Sequence, residues 1–219
     1  MNTIKNEIIP MFSVPLGVSY NSEHTSLNNE LTNLFRQKAE NSDVDQHGFV
    51  AKNKHVYESA FDLFSWKYDC VQELQRFCWA QLYKFIGTLN QYDMDTLRKL
   101  HIASESWYHI TKKGGYFGIH NHPMASWSGV YCVSAGDMSK DDPNSGGLNF
   151  ISPHISTTSF IDKSCSAIGG QFSRENKLFH LKEGQLVLFP SWLLHEVKPY
   201  LGESERITVA FNCWFKYSG

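Results

Sequence analysis

Residues 206–212 read RITVAFN, and residues 185–189 read QLVLF. In the first stretch, small and polar residues alternate with the bulky apolar residues Ile207, Val209 and Phe211. Because successive side chains of a strand point to opposite faces, this alternation predicts a strand with one polar and one apolar face. The second stretch is apolar at most positions and is bounded by Gly184 and Pro190, which is typical of a buried strand.

Helical patterns come before these strands in the chain. Apolar residues recur at spacings of three and four over 22–39 and again over 68–89, which predicts two amphipathic helices, and 94–100 is expected to add a helical turn or two. After residue 102 the pattern changes to short β-type runs, each bounded by Gly, Pro, Asn or Asp; they are 106–110, 116–120, 128–134, 148–151, 185–189 and 206–215. Helices followed by strands predict a mainly β protein, a sandwich or barrel with flanking helices.

The length of the chain favours one domain. With 219 residues and 42% hydrophobic residues, the chain can bury a substantial core. We expect residues 1–219 to form a single domain, with extended segments and supporting helices over 1–100 and the β core over 101–219. The Pro-broken start of the chain is extended and could add an outer strand. Two regions lack periodicity: 40–60 is expected to be a loop with at most short strands, and 153–182 a lid-like insertion.

The composition narrows the class of protein and its partners. The chain has 20 Lys and Arg against 22 Asp and Glu, so no broad basic surface is available to neutralise a nucleic-acid backbone. Five cysteines without a C-x-x-C pair argue against a disulfide framework and a cysteine zinc site. No stretch approaches the roughly 20 apolar residues of a membrane helix, and the N-terminus lacks the pattern of a secretion signal. These features predict a cytoplasmic protein that binds neither nucleic acid nor membrane.

The strongest chemical feature is the sequence IHNHP at 119–123. On a strand, the spacing of two between His120 and His122 would direct both imidazoles to one face. Pro123 removes a backbone donor and is typical of the end of a strand. Paired histidines also occur without a metal, so this motif needs support from elsewhere in the chain.

That support comes from two positions near the C-terminus. The segment GQLVLFPSWLLH at 184–195 places His195 just after a buried strand, and three imidazoles suit Fe(II), Zn(II), copper or nickel. Eleven positions later, Arg206 and Thr208 share one face of their predicted strand. A guanidinium matches a carboxylate with two parallel hydrogen bonds, and a hydroxyl can add another, so an anion seat near a metal is expected. A surface ion pair of Arg206 with Glu203 or Glu205 is the competing interpretation.

Taken in order, these motifs resemble the 2-oxoglutarate-Fe(II) oxygenase superfamily, and more closely the branch of it with H-x-H-P and S-G-V-Y motifs. The resemblance covers roughly 104–215; besides IHNHP and the segment ending at His195, it includes SGVY at 128–131, GGLNF at 146–150 and ERITVAFN at 205–212. It implies a double-stranded β-helix, the jelly roll of cupin-like proteins, with Fe(II), 2-oxoglutarate and O2 as cofactors.

The resemblance also implies roles for individual residues. His120, His122 and His195 would be the metal ligands, and Arg206 would bind the C5 carboxylate of 2-oxoglutarate. Thr208 matches the hydroxyl of the superfamily's R-x-S/T pattern.

Three aromatic residues are further candidates. Tyr131 matches a tyrosine that often hydrogen-bonds the same carboxylate, and Tyr108 is a weaker candidate for the cosubstrate pocket. Trp127 is a candidate for contact with substrate, although tryptophan more often packs in a core. The remaining histidines show no partner spacing and receive no role; they are His24, His47, His55, His101, His109, His154 and His180.

The implied activity is hydroxylation of a C–H bond, with release of succinate and CO2. The substrate would be a small molecule or a peptidyl group, and the sequence is compatible with a homodimer. The chain departs from the commonest triad of the superfamily, because His122 stands where a carboxylate is usual. Asp137, Asp141 and Asp142 lie in a turn-rich loop and are weaker ligand candidates. A three-histidine dioxygenase, a zinc hydrolase without 2-oxoglutarate, and a non-catalytic β-barrel that binds a metal or an anion therefore stay open.

Overall fold

The structure is a computed structural model, and it describes residues 8–41, 52–137, 139, 141–154 and 160–219. The helices are α1 (His24–Glu40), α2 (Asp69–Asn90) and α3 (Met94–Arg98), with short 3-10 turns at Leu63–Ser65 and Gly170–Phe172. The strands are β1 (Gly17–Tyr20), β2 (Val56–Glu58), β3 (Leu100–Thr111), β4 (Phe117–His120), β5 (Trp127–Ser134), β6 (Leu148–Phe150), β7 (Lys177–Phe179), β8 (Gln185–Pro190), β9 (His195–Val197) and β10 (Arg206–Tyr217).

The strands form two antiparallel sheets. The larger has the order β1-β8-β5-β10-β3-β2, and the smaller has the order β4-β9-β6-β7. Neighbouring strands of each sheet are far apart in the chain, as in a jelly roll, so the predicted fold class is confirmed. The long strands β3 and β10 pair over twelve residues, and β10 lies between β5 and β3 in the larger sheet.

The helices cover the outer face of the larger sheet. The apolar stripes of α1 and α2 supply buried residues such as Leu31, Phe35, Leu74 and Leu82 to a core shared with the outward side chains of β3, β5, β8 and β10. A second, smaller cluster lies between the two sheets and contains Leu148, Phe150, Val187 and Phe189 among others. The larger sheet therefore has a helix face and a pocket face, and alternate residues of each strand belong to one or the other.

The structure contains the helices and strands that were predicted from a periodic pattern of apolar residues. Both long helices and all six predicted strands are present within a few residues of their expected bounds, and the expected outer strand is β1, which pairs with β8. β3 begins at Leu100, several residues earlier than expected.

Three short strands were not predicted as elements. β2, β7 and β9 are three residues long, which is too short for a periodic pattern to show. The description of 153–182 as a lid-like insertion is wrong for its last part, because β7 pairs with β6 inside the smaller sheet. Much of the predicted loop at 40–60 lies outside the described residues, as do residues 155–159 of the insertion.

Two findings complete the architecture. The five cysteines are all free, and four of them are buried. Within the described ranges, none of the helices is both long enough and apolar enough to cross a membrane.

Candidate metal centre and cosubstrate pocket

Three histidines meet between the two sheets. His120 ends β4 and pairs directly with His195 at the start of β9, while His122 follows in the loop after β4. The ring centroids of His120 and His195 are 4.3 Å apart, and those of His122 lie 5.1 and 5.2 Å from the other two. One nitrogen from each ring lies within 4.8 Å of the others, which is compatible with three ligands around a single ion.

Backbone carbonyls orient two of these rings. The Nδ1 atom of His120 lies 2.7 Å from the carbonyl oxygen of Gly118, and Nδ1 of His195 lies 2.9 Å from that of Leu193. A hydrogen bond from Nδ1–H to a carbonyl fixes the tautomer in which Nε2 carries the free lone pair. Both rings therefore present Nε2 as a ligand atom.

His122 lies just beyond the strand. β4 ends at His120, so the expected placement of both histidines on one strand is wrong in this detail. The backbone amide of His122 instead donates to the carbonyl oxygen of Ser191 at 2.8 Å, and this bond ties the loop after β4 to the turn that precedes His195.

Burial keeps the three imidazoles neutral. Desolvation, followed by repulsion from neighbouring histidines, lowers the pKa of His122 to about 4 and that of His195 to about 3. Desolvation also lowers the pKa of His120. A metal ligand must be unprotonated, so all three rings are in the binding form at neutral pH.

Arg206 lies deep in the same cavity. Its side chain is buried, and desolvation lowers the pKa of its guanidinium from 12.5. Thr208 follows on the same face of β10, is also buried, and lines the cavity beside it. Gly146, whose φ is +64°, lies against the stem of Arg206: a Cβ there would come within 3.3 Å of its Cδ atom. The sequence pattern predicted that Arg206 and Thr208 share one face of a strand. In the structure both line the same cavity as the three histidines.

The competing partners of Arg206 are engaged elsewhere. Glu205 accepts a hydrogen bond from Arg36 at 2.9 Å, and its other oxygen lies 3.8 Å from Lys112 Nζ. Glu203 pairs with Lys113. A surface ion pair of Arg206 with either glutamate is therefore wrong, and within the described part of the chain no carboxylate forms an ion pair with Arg206.

Tyr131 and Tyr108 do not lie in the cavity, and their predicted place in the cosubstrate pocket is wrong. Both belong to the helix face: the hydroxyl of Tyr131 donates to Asn28 Oδ1 at 2.9 Å, and that of Tyr108 donates to the carbonyl oxygen of Phe35 at 3.2 Å. Between them and the histidines stands the larger sheet itself. On β5 it is Val130, one residue before Tyr131, that faces the pocket.

Trp127 is a similar case. Its ring packs edge to face against Phe85 of α2, with 5.2 Å between the ring centroids. The structure therefore does not support the prediction that Trp127 contacts substrate at the metal centre.

A buried polar chain beside the histidines was missed. Glu58 of β2 is buried, with Oε2 2.8 Å from His109 Nε2 and Oε1 3.7 Å from Lys52 Nζ. Trp107 Nε1 lies 2.9 Å from the same His109 nitrogen, and the Trp107 ring centroid lies 6.1 Å from that of His122. The assignment of no role to His109 is thus corrected, because it lines the cavity and fixes the tryptophan against His122.

The aspartates considered as alternative ligands lie elsewhere. Asp137 accepts hydrogen bonds from the hydroxyl of Tyr200 at 3.0 Å and from backbone amides of the 203–204 turn. The Ser204 hydroxyl also donates to Asp137, and together with the backbone amides and Tyr200 it holds the pKa of Asp137 well below its usual range. The described His, Cys, Asp and Glu side chains form one group with metal-ligand spacing, and it contains the three histidines alone.

The cavity around the histidines is narrow and opens outward. Its volume is about 50 Å³, and it is lined by the triad, Arg206, Thr208 and apolar side chains that include Phe117, Leu148, Phe189 and Val197. His122 and Asn212 also line a wider groove of about 470 Å³ at the outer end of the sheets. We call this the mouth groove; it is lined by Glu105, Asn121, His122, Pro123, Met124, Ala125, Asn212 and Trp214.

Residues 105–212 match a family described as "Putative 2OG-Fe(II) oxygenase". This range contains the three histidines, Arg206 and Thr208. The chain is a 2-oxoglutarate- and iron(II)-dependent oxygenase. The cofactors of this oxygenase are iron(II) and 2-oxoglutarate, and its oxidant is O2. No curated protein matches the sequence.

Solved structures of other proteins share the fold of the oxygenase at low identity. A prolyl-4-hydroxylase from Pseudomonas putida is 14% identical, with a TM-score of 0.58 and 94% of each chain covered. A prolyl hydroxylase from Trichoplax adhaerens, solved with a peptide fragment of hypoxia inducible factor, is 12% identical, with a TM-score of 0.52 and coverages of 91% and 83%. HygX from Streptomyces hygroscopicus, solved with nickel and 2-oxoglutarate, is 11% identical, with a TM-score of 0.56 and coverages of 92% and 83%.

The donor set fits the two cofactors of the oxygenase. Three close, neutral imidazoles suit a divalent iron, and a buried guanidinium suits the far carboxylate of a dicarboxylic acid. Both groups line one cavity, so a ligand that reaches the metal can also reach the arginine.

Proposed function

We propose that His120 and His195 through Nε2, and His122 through one ring nitrogen, hold iron(II) and that Arg206 anchors the C5 carboxylate of 2-oxoglutarate, with Thr208 as a further donor. The observation that carries this assignment is the buried Arg206 in the same cavity as the triad, while nearby glutamates pair with other cations. A buried cation is costly unless an anion compensates it, and the cosubstrate supplies that anion.

We further propose that the whole of residues 1–219 acts as one oxygenase domain that hydroxylates a C–H bond of a small-molecule or peptidyl substrate. Iron(II) and 2-oxoglutarate supply the oxidising chemistry with O2, and succinate and CO2 leave. The chain binds and orients these groups, and the apolar walls at Phe117, Phe189 and Val197 exclude water from them. The peptide in the Trichoplax structure indicates that this fold can accept a peptidyl substrate.

His122 changes the charge of the centre. A triad with a carboxylate would offset one positive charge of the metal, whereas three neutral imidazoles offset none. The resulting more positive site favours a dianionic cosubstrate, in the same direction as Arg206. The three-histidine set is therefore compatible with 2-oxoglutarate as the ligand.

An anaerobic titration of the iron(II)-loaded protein with 2-oxoglutarate tests this assignment through the metal-to-ligand charge-transfer absorption. We expect a band in wild type, and a half-saturating concentration about 30-fold higher or more in Arg206→Ala, because a buried charge pair is lost. Arg206→Lys, which keeps the charge but not the fork, should lie between them. Arg98→Ala removes an exposed arginine of α3, which pairs with Asp95 and does not line the cavity, and serves as the matched control.

Absence of the band with iron bound would reject 2-oxoglutarate as the cosubstrate. A three-histidine dioxygenase or zinc hydrolase would then become the preferred function, with activity unaffected by 2-oxoglutarate. Tight metal binding without oxygen consumption under any substrate would instead favour a non-catalytic barrel.

A further inference from the structure

The mouth groove shares His122 and Asn212 with the cavity that contains the triad. β3 and β10 extend past the histidines toward it, with Glu105 directly opposite Asn212 in the register. Glu105 is two residues from Trp107, whose ring packs near His122, so it lies roughly 7 Å farther out along the strand. A ligand in the groove therefore has one end at Glu105 and the other near the triad.

The groove carries a single negative charge. Glu105 is the charged side chain among its lining residues; it is exposed, and no ion pair to it is found among the described residues. No cationic side chain among the described lining residues of the groove therefore offsets the charge of the Glu105 carboxylate.

Charges of opposite sign stand at the two ends of the same sheet surface. Arg206 pairs with Thr111 at the inner end, and Glu105 pairs with Asn212 at the outer end, six residues away on each strand. Six residues of strand span roughly 20 Å. The inner end, at Arg206, attracts an anion such as the cosubstrate. The outer end, at Glu105, attracts a cationic group of the substrate.

The other groove walls suit the same kind of ligand. Trp214 lies two residues beyond Asn212 on β10 and is half-buried, and Met124, which also lines the groove, is exposed. An indole face attracts an ammonium or guanidinium group, and a methionine packs against an aliphatic chain. The volume of about 470 Å³ is within the range of small-ligand sites.

We propose that the mouth groove binds a basic side chain of the substrate, with Glu105 as the counterion of its guanidinium or ammonium group and Trp214 as the surface beside it. This inference rests on the proposed function, because it takes the triad as the place of oxidation. Glu105 and His122 line the same groove, and the roughly 7 Å of strand between Glu105 and Trp107 is comparable to the length of an extended lysine or arginine side chain. The oxidised C–H bond would then lie several bonds from the cation, on the aliphatic part of the substrate.

Calorimetric titration of the full chain with a charged ligand and its neutral isostere tests the groove. The probes are Nα-acetyl-arginine amide, the corresponding citrulline derivative, and agmatine, which carries the guanidinium without a peptide group. We expect wild type to bind the arginine derivative about fivefold more tightly than the citrulline derivative, the size of one exposed ion pair. Tighter binding of the arginine derivative than of agmatine would identify a peptidyl source of the cation, and the reverse a small amine.

Variants of Glu105 test whether this residue causes the preference for arginine over citrulline. Glu105→Gln should remove the preference for arginine over citrulline, and Glu105→Lys should reverse it. Glu73→Gln, which alters an exposed glutamate of α2, should leave the preference unchanged. Equal binding of the two derivatives by wild type, no binding of either at millimolar concentration, or a preference that survives in Glu105→Gln would overturn the proposal.

The calorimetric result does not depend on the charge-transfer band. If the band forms as expected but the charge preference is absent, the groove proposal fails and the cofactor assignment stands. If the band is absent while the preference depends on Glu105, the groove is a cation site and the oxygenase assignment of the triad fails. Added probe should also shift the band in wild type and not in Glu105→Lys.

Discussion

The two faces of β10 have opposite chemistry within one strand. On the helix face, Ile207, Val209 and Phe211 are completely or almost completely buried among apolar side chains of α1 and α2. On the pocket face, Arg206 and Thr208 are just as buried but line a cavity with the triad. Burial alone therefore does not separate the core from the site; the parity of the residue along the strand does.

The same contrast explains the misassigned tyrosine. Tyr131 and Val130 are neighbours on β5, yet the first hydrogen-bonds to α1 and the second lines the pocket. A shift of one residue moves every side chain of a strand to the other face. Variants that act on one face and not on the other are consequently the most informative tests.

The largest effect is expected for Phe211→Ala on the helix face. Phe211 packs edge to face on Trp79, with ring centroids 4.9 Å apart, and its removal leaves a cavity in the main core. The free energy of unfolding should fall by about 3–5 kcal/mol in chemical denaturation.

Thr208→Val is the matched change on the pocket face. It should alter the free energy of unfolding by no more than about 1 kcal/mol and weaken the binding of 2-oxoglutarate. If Thr208→Val destabilised the fold as much as Phe211→Ala, the two faces would not be functionally distinct.

The second-largest effect is expected for the removal of a proposed metal ligand. His195→Ala should abolish stoichiometric iron binding and lower turnover at least about 100-fold, since groups outside the ligand set already account for up to that factor. Metal analysis after desalting measures the first quantity. His180→Ala, at an exposed histidine, is the control, and retention of one iron per chain in His195→Ala would contradict the assignment.

A smaller effect is expected from pH on the metal-free protein. Burial lowers the pKa of His122 to about 4 and that of His195 to about 3, so the unfolded chain takes up protons at a higher pH than the folded chain. The free energy of unfolding should therefore fall as the pH drops below about 6.5 and continue to fall toward 4, at up to about 1.4 kcal/mol per pH unit for each imidazole. His195→Gln should give a shallower slope; a flat profile in wild type would rule out the proposed protonation states.

The smallest effect is expected for Tyr131→Phe. The variant loses the hydrogen bond to Asn28 and should be destabilised by about 1 kcal/mol. Its half-saturating concentration of 2-oxoglutarate should equal that of wild type, as measured by the charge-transfer titration. A clear rise in that concentration would return Tyr131 to the cosubstrate pocket.

Much of the architecture could be predicted because the periodic signals were long. The alternation over 206–212 and the stripes of α1 and α2 each extend over several turns or strand residues, which is enough to identify the element and its apolar face. The short strands β2, β7 and β9 are held mainly by pairing with strands distant in the chain. Each has three residues, which is too few to show a periodic pattern of apolar side chains. These strands were therefore missed, although β2 supplies Glu58 and β9 supplies His195.

By itself, the sequence predicted a mainly β fold with flanking helices, three histidines suited to a metal, and Arg206 and Thr208 on one face of a strand, because these depend on residue type, order and local spacing; the jelly roll and the roles of the residues came from the family resemblance. The tertiary structure decided which face of each strand meets the cavity, which glutamates are already paired, and that Glu58, His109 and Glu105 belong near the site. Those properties depend on the register between β3, β5 and β10, whose partners are up to about a hundred residues apart in the chain. Local patterns cannot encode that register, since it is set by how the two sheets and the helices pack together.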